Sequence, residues 1–194
     1  MRYPVEAEVR EILKPYDRPL IQIHQRAWDR LVACNEWPTL LFSRTGSVMM
    51  HDLVIQEAAK VIDDIDGVRR IGRDKTIWYM FSDRVVVRFK KGRRGLGSNI
   101  DTAANDQFIL QEADLLGMSD LMKVELLWYA NTFKTKLDRL VVSARDDQTV
   151  LWNYVMGDEP VVTLFRTSLP TPEKTKPDLV ALRPVKKADV EGDE

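Results

Sequence analysis

Residues 85–99 read VVVRFKKGRRGLGSN, a run of β-branched residues opening into Arg88, Lys90, Lys91, Arg93 and Arg94, with three glycines and no acid. Cations of this kind on a loop do one sort of chemistry: they meet phosphate or another anion. The chain of 194 residues has a net charge of only −1. Anion binding must therefore come from this local concentration and not from an overall field. Two familiar nucleotide loops are excluded by spacing. Gly92, Gly95 and Gly97 fit neither GxxxxGK[ST], whose lysine reaches the terminal phosphates, nor GxGxxG between a strand and a helix. What remains is a cationic hairpin end followed by a helix whose first amides would also favour an anion. Trp78, Tyr79 and Phe89 lie close in sequence and would stack on bases if they faced solvent.

Acid–base chemistry has few candidates, because the chain holds two histidines. Arg44 and His51, in RTGSVMMH, have six residues between them, and Arg18 and His24, in RPLIQIH, have five. That spacing resembles the helix-borne Arg and His of HEPN-type ribonucleases, and the resemblance implies metal-independent RNA cleavage by Arg44 and His51. It covers these few residues only. Pro19 and Gly46 interrupt the two segments and the polar residue that flanks the motif is missing, so the ribonuclease stands as the alternative reading. His24 lies on an apolar stripe, where a hydrogen-bonded core imidazole is expected.

Other chemistries find less. Asp63, Asp64 and Asp66 cluster at the polar end of a helical pattern, where a solvated face accounts for them. One cysteine and two histidines cannot make a usual zinc site, and Cys34 excludes an internal disulfide. No serine lies in a GxSxG elbow. No metal and no cofactor is expected. The five tryptophans, Trp28, Trp37, Trp78, Trp128 and Trp152, read as core and sheet-face residues, with Trp128 and Trp152 pairing across strands.

The elements that must position these residues follow from periodicity. PVEAEVREILKPY (4–16) predicts a short helix stopped by Pro15. RPLIQIHQRAWDRLVACNEWP (18–38) predicts a second, with Leu20, Ile21, His24, Ala27, Trp28, Leu31 and Val32 as its stripe. TLLFSRTGS (39–47) reads as a connection. A third helix fits SVMMHDLVIQEAAKVIDDIDG (47–67), with Gly67 as its terminator. The period then changes to two: DKTIWYMF (74–81) and RVVVRFKK (84–91) form a hairpin turning at Ser82 and Asp83. NIDTAANDQFILQEADLLG (99–117) returns to helix. KVELLWYA (123–130), DRLVVSAR (138–145) and TVLWNYVM (149–156) alternate as an antiparallel meander.

Composition, 44% hydrophobic and 30% charged, is that of a globular α+β chain. The expected architecture is a single domain over residues 1–165, a mainly antiparallel sheet of about five strands with about four helices, three of them N-terminal. Residues 166–194, rich in proline and mixed charge, read as a flexible tail. No apolar run approaches the about 18 residues of a membrane span, and the N-terminus lacks the apolar core of a signal peptide, so the cytoplasm is the expected compartment. The leading functional reading is a non-enzymatic binding protein, a regulator, inhibitor or antitoxin-like subunit. It would engage a macromolecular partner, a protein first and nucleic acid second, through Arg88, Lys90, Lys91, Arg93 and Arg94 and the tail.

Overall fold

The computed structural model describes residues 3–35, 37–73, 76–97, 103–109 and 121–158. The expected tail, 166–194, and the last residues of the expected domain lie outside this set. Helix α1 (Glu6–Leu13) puts Glu6 and Glu8 in its first turn, where the helix dipole favours acids, and buries Val9 and Leu13. Pro15 ends α1, but a single 3-10 turn (Lys14–Tyr16) leads straight into α2 (Asp17–Val32). Helix α2 buries Leu20, Ile23, His24, Ala27, Trp28 and Leu31. Ile21 and Val32, expected on this stripe, face outward, because the helical step of about 100° aligns Ile23 and not Ile21 with Leu20 and Ala27.

Helix α3 (Ser43–Val61) begins inside the expected connection, so Ser43 to Ser47 form its first turns. It buries Gly46, Met50, Val54, Glu57 and Ala58. At Gly46 a Cβ would fall on the Trp37 ring, so only glycine lets helix and indole close up. The helix ends at Val61; Gly67, with φ +79, sits further on and turns the chain into the first strand. Buried Glu57 links α3 to α2 through Arg30 (2.7 Å).

Seven strands form one mixed sheet in the order β1-β2-β3-β5-β6-β7, with β4 paired to β3. They are β1 (Val68–Arg73), β2 (Thr76–Phe81), β3 (Val85–Arg93), β4 (Leu96–Gly97), β5 (Met122–Ala130), β6 (Leu137–Asp146) and β7 (Thr149–Val155). This corrects the expected mainly antiparallel sheet of about five strands on two points. Strands β1 and β4 are additional, and β3 pairs with β5 in parallel, from Val85↔Met122 to Lys91↔Trp128. Strand β1, VRRIGR, escapes an apolar-alternation test because its arginines guard an open sheet edge. Helix content also differs. Only α2 and α3 are long, α1 has 8 residues, and the expected 99–117 helix is described as α4 (Ala103–Ile109).

The α1–α3 layer covers one face of the sheet, meeting Phe81, Val87, Phe89, Leu126, Val142 and their neighbours in the main core. On the second face Trp78, Met80 and Val86 meet Phe108 and Ile109 of α4 and Leu121. Ser82 and Asp83 turn the β2–β3 hairpin with left-handed backbones (φ +49 and +50), as a tight turn between twisted strands requires.

The basic stretch is not a loose loop. Strand β3 runs on past the sheet as a ribbon with β4, turning at Arg94 and Gly95 (φ +54 and +83), and this ribbon straps the second face. Gly95 N–H donates to Tyr129 Oη (3.2 Å), Ser143 Oγ donates to Gly95 O (3.0 Å), and Gly97 N–H donates to Glu125 Oε2 (3.0 Å). The glycines serve close approach and not phosphate binding: a Cβ at Gly92 would fall on the Tyr129 ring, and one at Gly97 would stand 2.6 Å from the Glu125 carboxylate. Gly92→Ala is therefore expected to destabilise the fold by about 1–3 kcal/mol through overpacking. In a thermal melt that is a fall in Tm of roughly 2–4 °C per kcal/mol. Gly72→Ala, where nothing lies within 4 Å, should leave Tm unchanged or slightly raised.

Candidate functional site

The five candidate anion-binding residues do not stay together. Arg88 projects from β3 onto the second face and is only 4% exposed. Its Nε (2.8 Å) and Nη2 donate to Glu125 Oε1, and its Nη1 donates to Asn105 Oδ1 of α4 (2.8 Å). The guanidinium lies over the Phe108 ring, 4.2 Å from its centre. Arg145 of β6 brings its Nε within 3.3 Å of Glu125 Oε2. Burial pulls the Arg88 pKa below its usual value, and the Glu125 carboxylate opposes that shift. Arg88 is thus part of an internal ion-pair network and not of an open loop. Lys90 is half-buried near the same network; desolvation, with Arg88 adding to it, lowers its pKa to about 8. Lys91 points to the other side of β3, its Nζ 5.6 Å from the centre of the Trp128 ring. Arg93 and Arg94 stand exposed at the tip of the strap.

The alternative catalytic pair is not assembled either. Arg44 is exposed in the first turn of α3, and His51 lies two turns on, about 10 Å along the axis. The His51 ring packs against β3, bonded to the Phe89 backbone, and burial lowers its pKa. His24 is fully buried: Nδ1 donates to Leu20 O (2.8 Å) and the ring meets Phe89 edge-on at 5.1 Å. Desolvation lowers its pKa to about 4. Among the described residues no three His, Cys, Asp or Glu side chains converge as metal ligands would, and no helix is long and apolar enough to cross a membrane.

What the tertiary structure does assemble is a cavity of about 600 Å³ at the carboxyl ends of β3 and β5. Trp28 and Val32 of α2, Trp37 of the 3-10 turn (Trp37–Thr39), and Ser43, Gly46 and Ser47 of α3 form one wall. Lys91, Gly92, Trp128 and Tyr129 form the floor, and the β5–β6 turn closes the far side. That turn is held by Asn131, whose Oδ1 accepts from the amides of Thr135 (2.8 Å) and Lys136 (3.1 Å). Trp28 stands 5.8 Å from Trp37 and 6.1 Å from Trp128, centre to centre. Phe42 and Phe133 line the mouth while remaining 71% and 83% exposed. Among the described residues, Lys91 and Lys134 are the charged residues of the lining, and no Asp or Glu is among them. Burial and the neighbouring Lys134 ammonium both lower the Lys91 pKa.

Three of the five tryptophans therefore meet around this cavity, Trp28 and Trp128 buried in the core behind it and Trp37 half-buried. Trp128 does not pair with Trp152, whose ring stacks on Tyr154 at 6.1 Å. Trp78, Tyr79 and Phe89, considered for stacking, are all buried. The overlooked signal was Phe42 and Phe133, bulky aromatics in connecting segments, and Trp37, at the end of the expected second helix but off its apolar stripe. Compared with known proteins, the chain matches no family model, no curated protein and no solved structure.

Two outcomes follow from the buried ionisable groups. Glu125→Gln leaves Arg88 and Arg145 buried without their shared carboxylate, and is expected to cost about 3–5 kcal/mol in denaturant unfolding. His24 titrates at about 6.5 unfolded and about 4 folded, so the unfolded chain takes up the proton first as pH falls. The stability held by neutral His24 is complete above about pH 6.5 and is lost between there and about 4, by up to about 1.4 kcal/mol per pH unit. Thermal melts across that window should show the decline, and His24→Leu should make it shallower, with His51, whose pKa burial also lowers, accounting for part of what remains.

Proposed function

We propose that this chain is a non-enzymatic binding protein that engages single-stranded nucleic acid at the aromatic cavity. One observation carries the reading: a concave site with half-buried Trp37 and exposed Phe42 and Phe133, backed by Trp28 and Trp128, holds two lysines and no acid among the described residues. Aromatic faces accept unstacked bases and the lysines accept backbone phosphate, the combination that sequence-tolerant strand binding uses. A strand is preferred to a duplex because a paired base cannot enter a cavity. The reading is preferred to a ribonuclease because His51 is packed against Phe89 while Arg44 stands two turns away from it along α3.

A protein partner is the second reading, favoured by Leu41, 91% exposed beside Phe42; such a partner would seat apolar side chains on the same mouth and bind with little dependence on salt. The two are separated by fluorescence anisotropy of labelled single- and double-stranded RNA and DNA at two salt concentrations. Single strands should bind more tightly than duplexes and lose affinity as salt rises. Replacing Lys91 and Lys134 together by Gln should weaken binding and reduce the slope of log K against log salt by about 1.4, at about 0.7 per phosphate contact, with Tm unchanged. Binding that ignores both salt and the two substitutions would overturn the strand reading, and failure of all four nucleic acids to bind would leave the protein partner as the reading.

A further inference from the structure

Resting on that reading, we infer that the cavity is a one-nucleotide site: a single nucleobase enters between Trp37 and Phe133, and its phosphate meets Lys91 and Lys134. Size sets the first limit. About 600 Å³ is the scale of pockets that enclose one small ligand. Shape and chemistry set the second. Trp28, Trp37 and Trp128 meet at tilted and edge-to-face angles of 54° to 80°. Trp28 and Trp128, 1% and 3% exposed, form the closed back of the site, so the rings open to a planar ligand are half-buried Trp37 and, at the mouth, Phe42 and Phe133.

Charge sets the third. Lys91 and Lys134 are close enough for one to depress the other's pKa, and among the described residues the lining supplies no carboxylate to relieve them. An anionic group between them removes that repulsion, whereas a neutral aromatic ligand leaves it in place. The exposure of Phe42 and Phe133 at the mouth fits a ring that is covered on binding. A ligand joining a planar ring to a phosphate a few ångströms away answers all three features, and a nucleoside monophosphate unit is that ligand, whether free or as one residue of a strand.

The experiment titrates the full chain with adenosine and uridine 5′-monophosphates while following tryptophan emission, and then uses the same nucleotides to displace a labelled oligonucleotide. Saturable quenching and displacement are expected. Phe133→Ala and Lys134→Gln, both at exposed positions, should each weaken nucleotide binding roughly tenfold without moving Tm. Adenosine should bind roughly tenfold more weakly than its monophosphate, and inorganic phosphate alone should leave the emission unchanged. Strand binding that no nucleotide quenches or displaces would overturn the one-nucleotide site and leave the strand-binding reading standing. Nucleotide binding without any strand binding would do the reverse, assigning the site to the free compound. Nucleosides binding as tightly as nucleotides would overturn the role of Lys91 and Lys134, and silence in both assays would end both readings.

Discussion

The Glu125 carboxylate lies 1% exposed in the middle of the sheet's second face, and a buried anion persists only where charge and hydrogen bonds compensate it. The compensation comes from three places far apart in sequence: Arg88 on β3, Arg145 on β6 and the Gly97 amide on β4. Arg88 passes the connection on to α4 through Asn105 and Phe108. One carboxylate thus ties the parallel strand pair, the strap and the helix of the second face to one another. Each tie demands close approach, which explains why the ribbon carries glycine where it crosses Tyr129 and Glu125.

The strap in turn opens the cavity. Strand β3 accompanies β5 in parallel as far as Lys91↔Trp128, then curls over the second face at Gly92, while β5 continues into the turn braced by Asn131. The space left where the two strands part is floored by Lys91, Gly92, Trp128 and Tyr129 and roofed by α2 and the start of α3. Lys91 reaches it because strand alternation sends Arg88 and Lys90 to one face and Lys91 to the other. A stretch that reads as a single basic loop is therefore divided by its own pleat into an internal ion pair, a half-buried lysine, a cavity lysine and two exposed arginines.

Much of the fold was legible from pattern. Strands β2, β3, β5, β6 and β7 alternate cleanly because one face of each meets the α1–α3 layer, and α2 and α3 show the helical period of elements half-buried against a sheet. Strand β1 was not legible, because an edge strand rich in arginine has no apolar alternation to display. Strand β4 is two residues long and is defined by its partner and not by its own residues. The cavity escaped notice for a related reason: its aromatics come from a helix, a 3-10 turn, a strand end and a turn, and no local period joins Trp28, Trp37, Trp128 and Phe133.

By itself the sequence determined which segments bury a face, because the spacing of apolar residues is a local property that each helix or strand carries alone. It also determined that cations are concentrated between Arg84 and Arg94 while the chain as a whole is nearly neutral. Only the tertiary structure decided what those cations do. The pairing of Arg88 with Glu125 depends on bringing β3 beside β5 in parallel, 37 residues apart in the chain, and the meeting of Lys91 with the tryptophans depends on where β3 leaves the sheet. Both are consequences of long-range register, which is set by the burial of whole faces and leaves no mark in the residues immediately around each site.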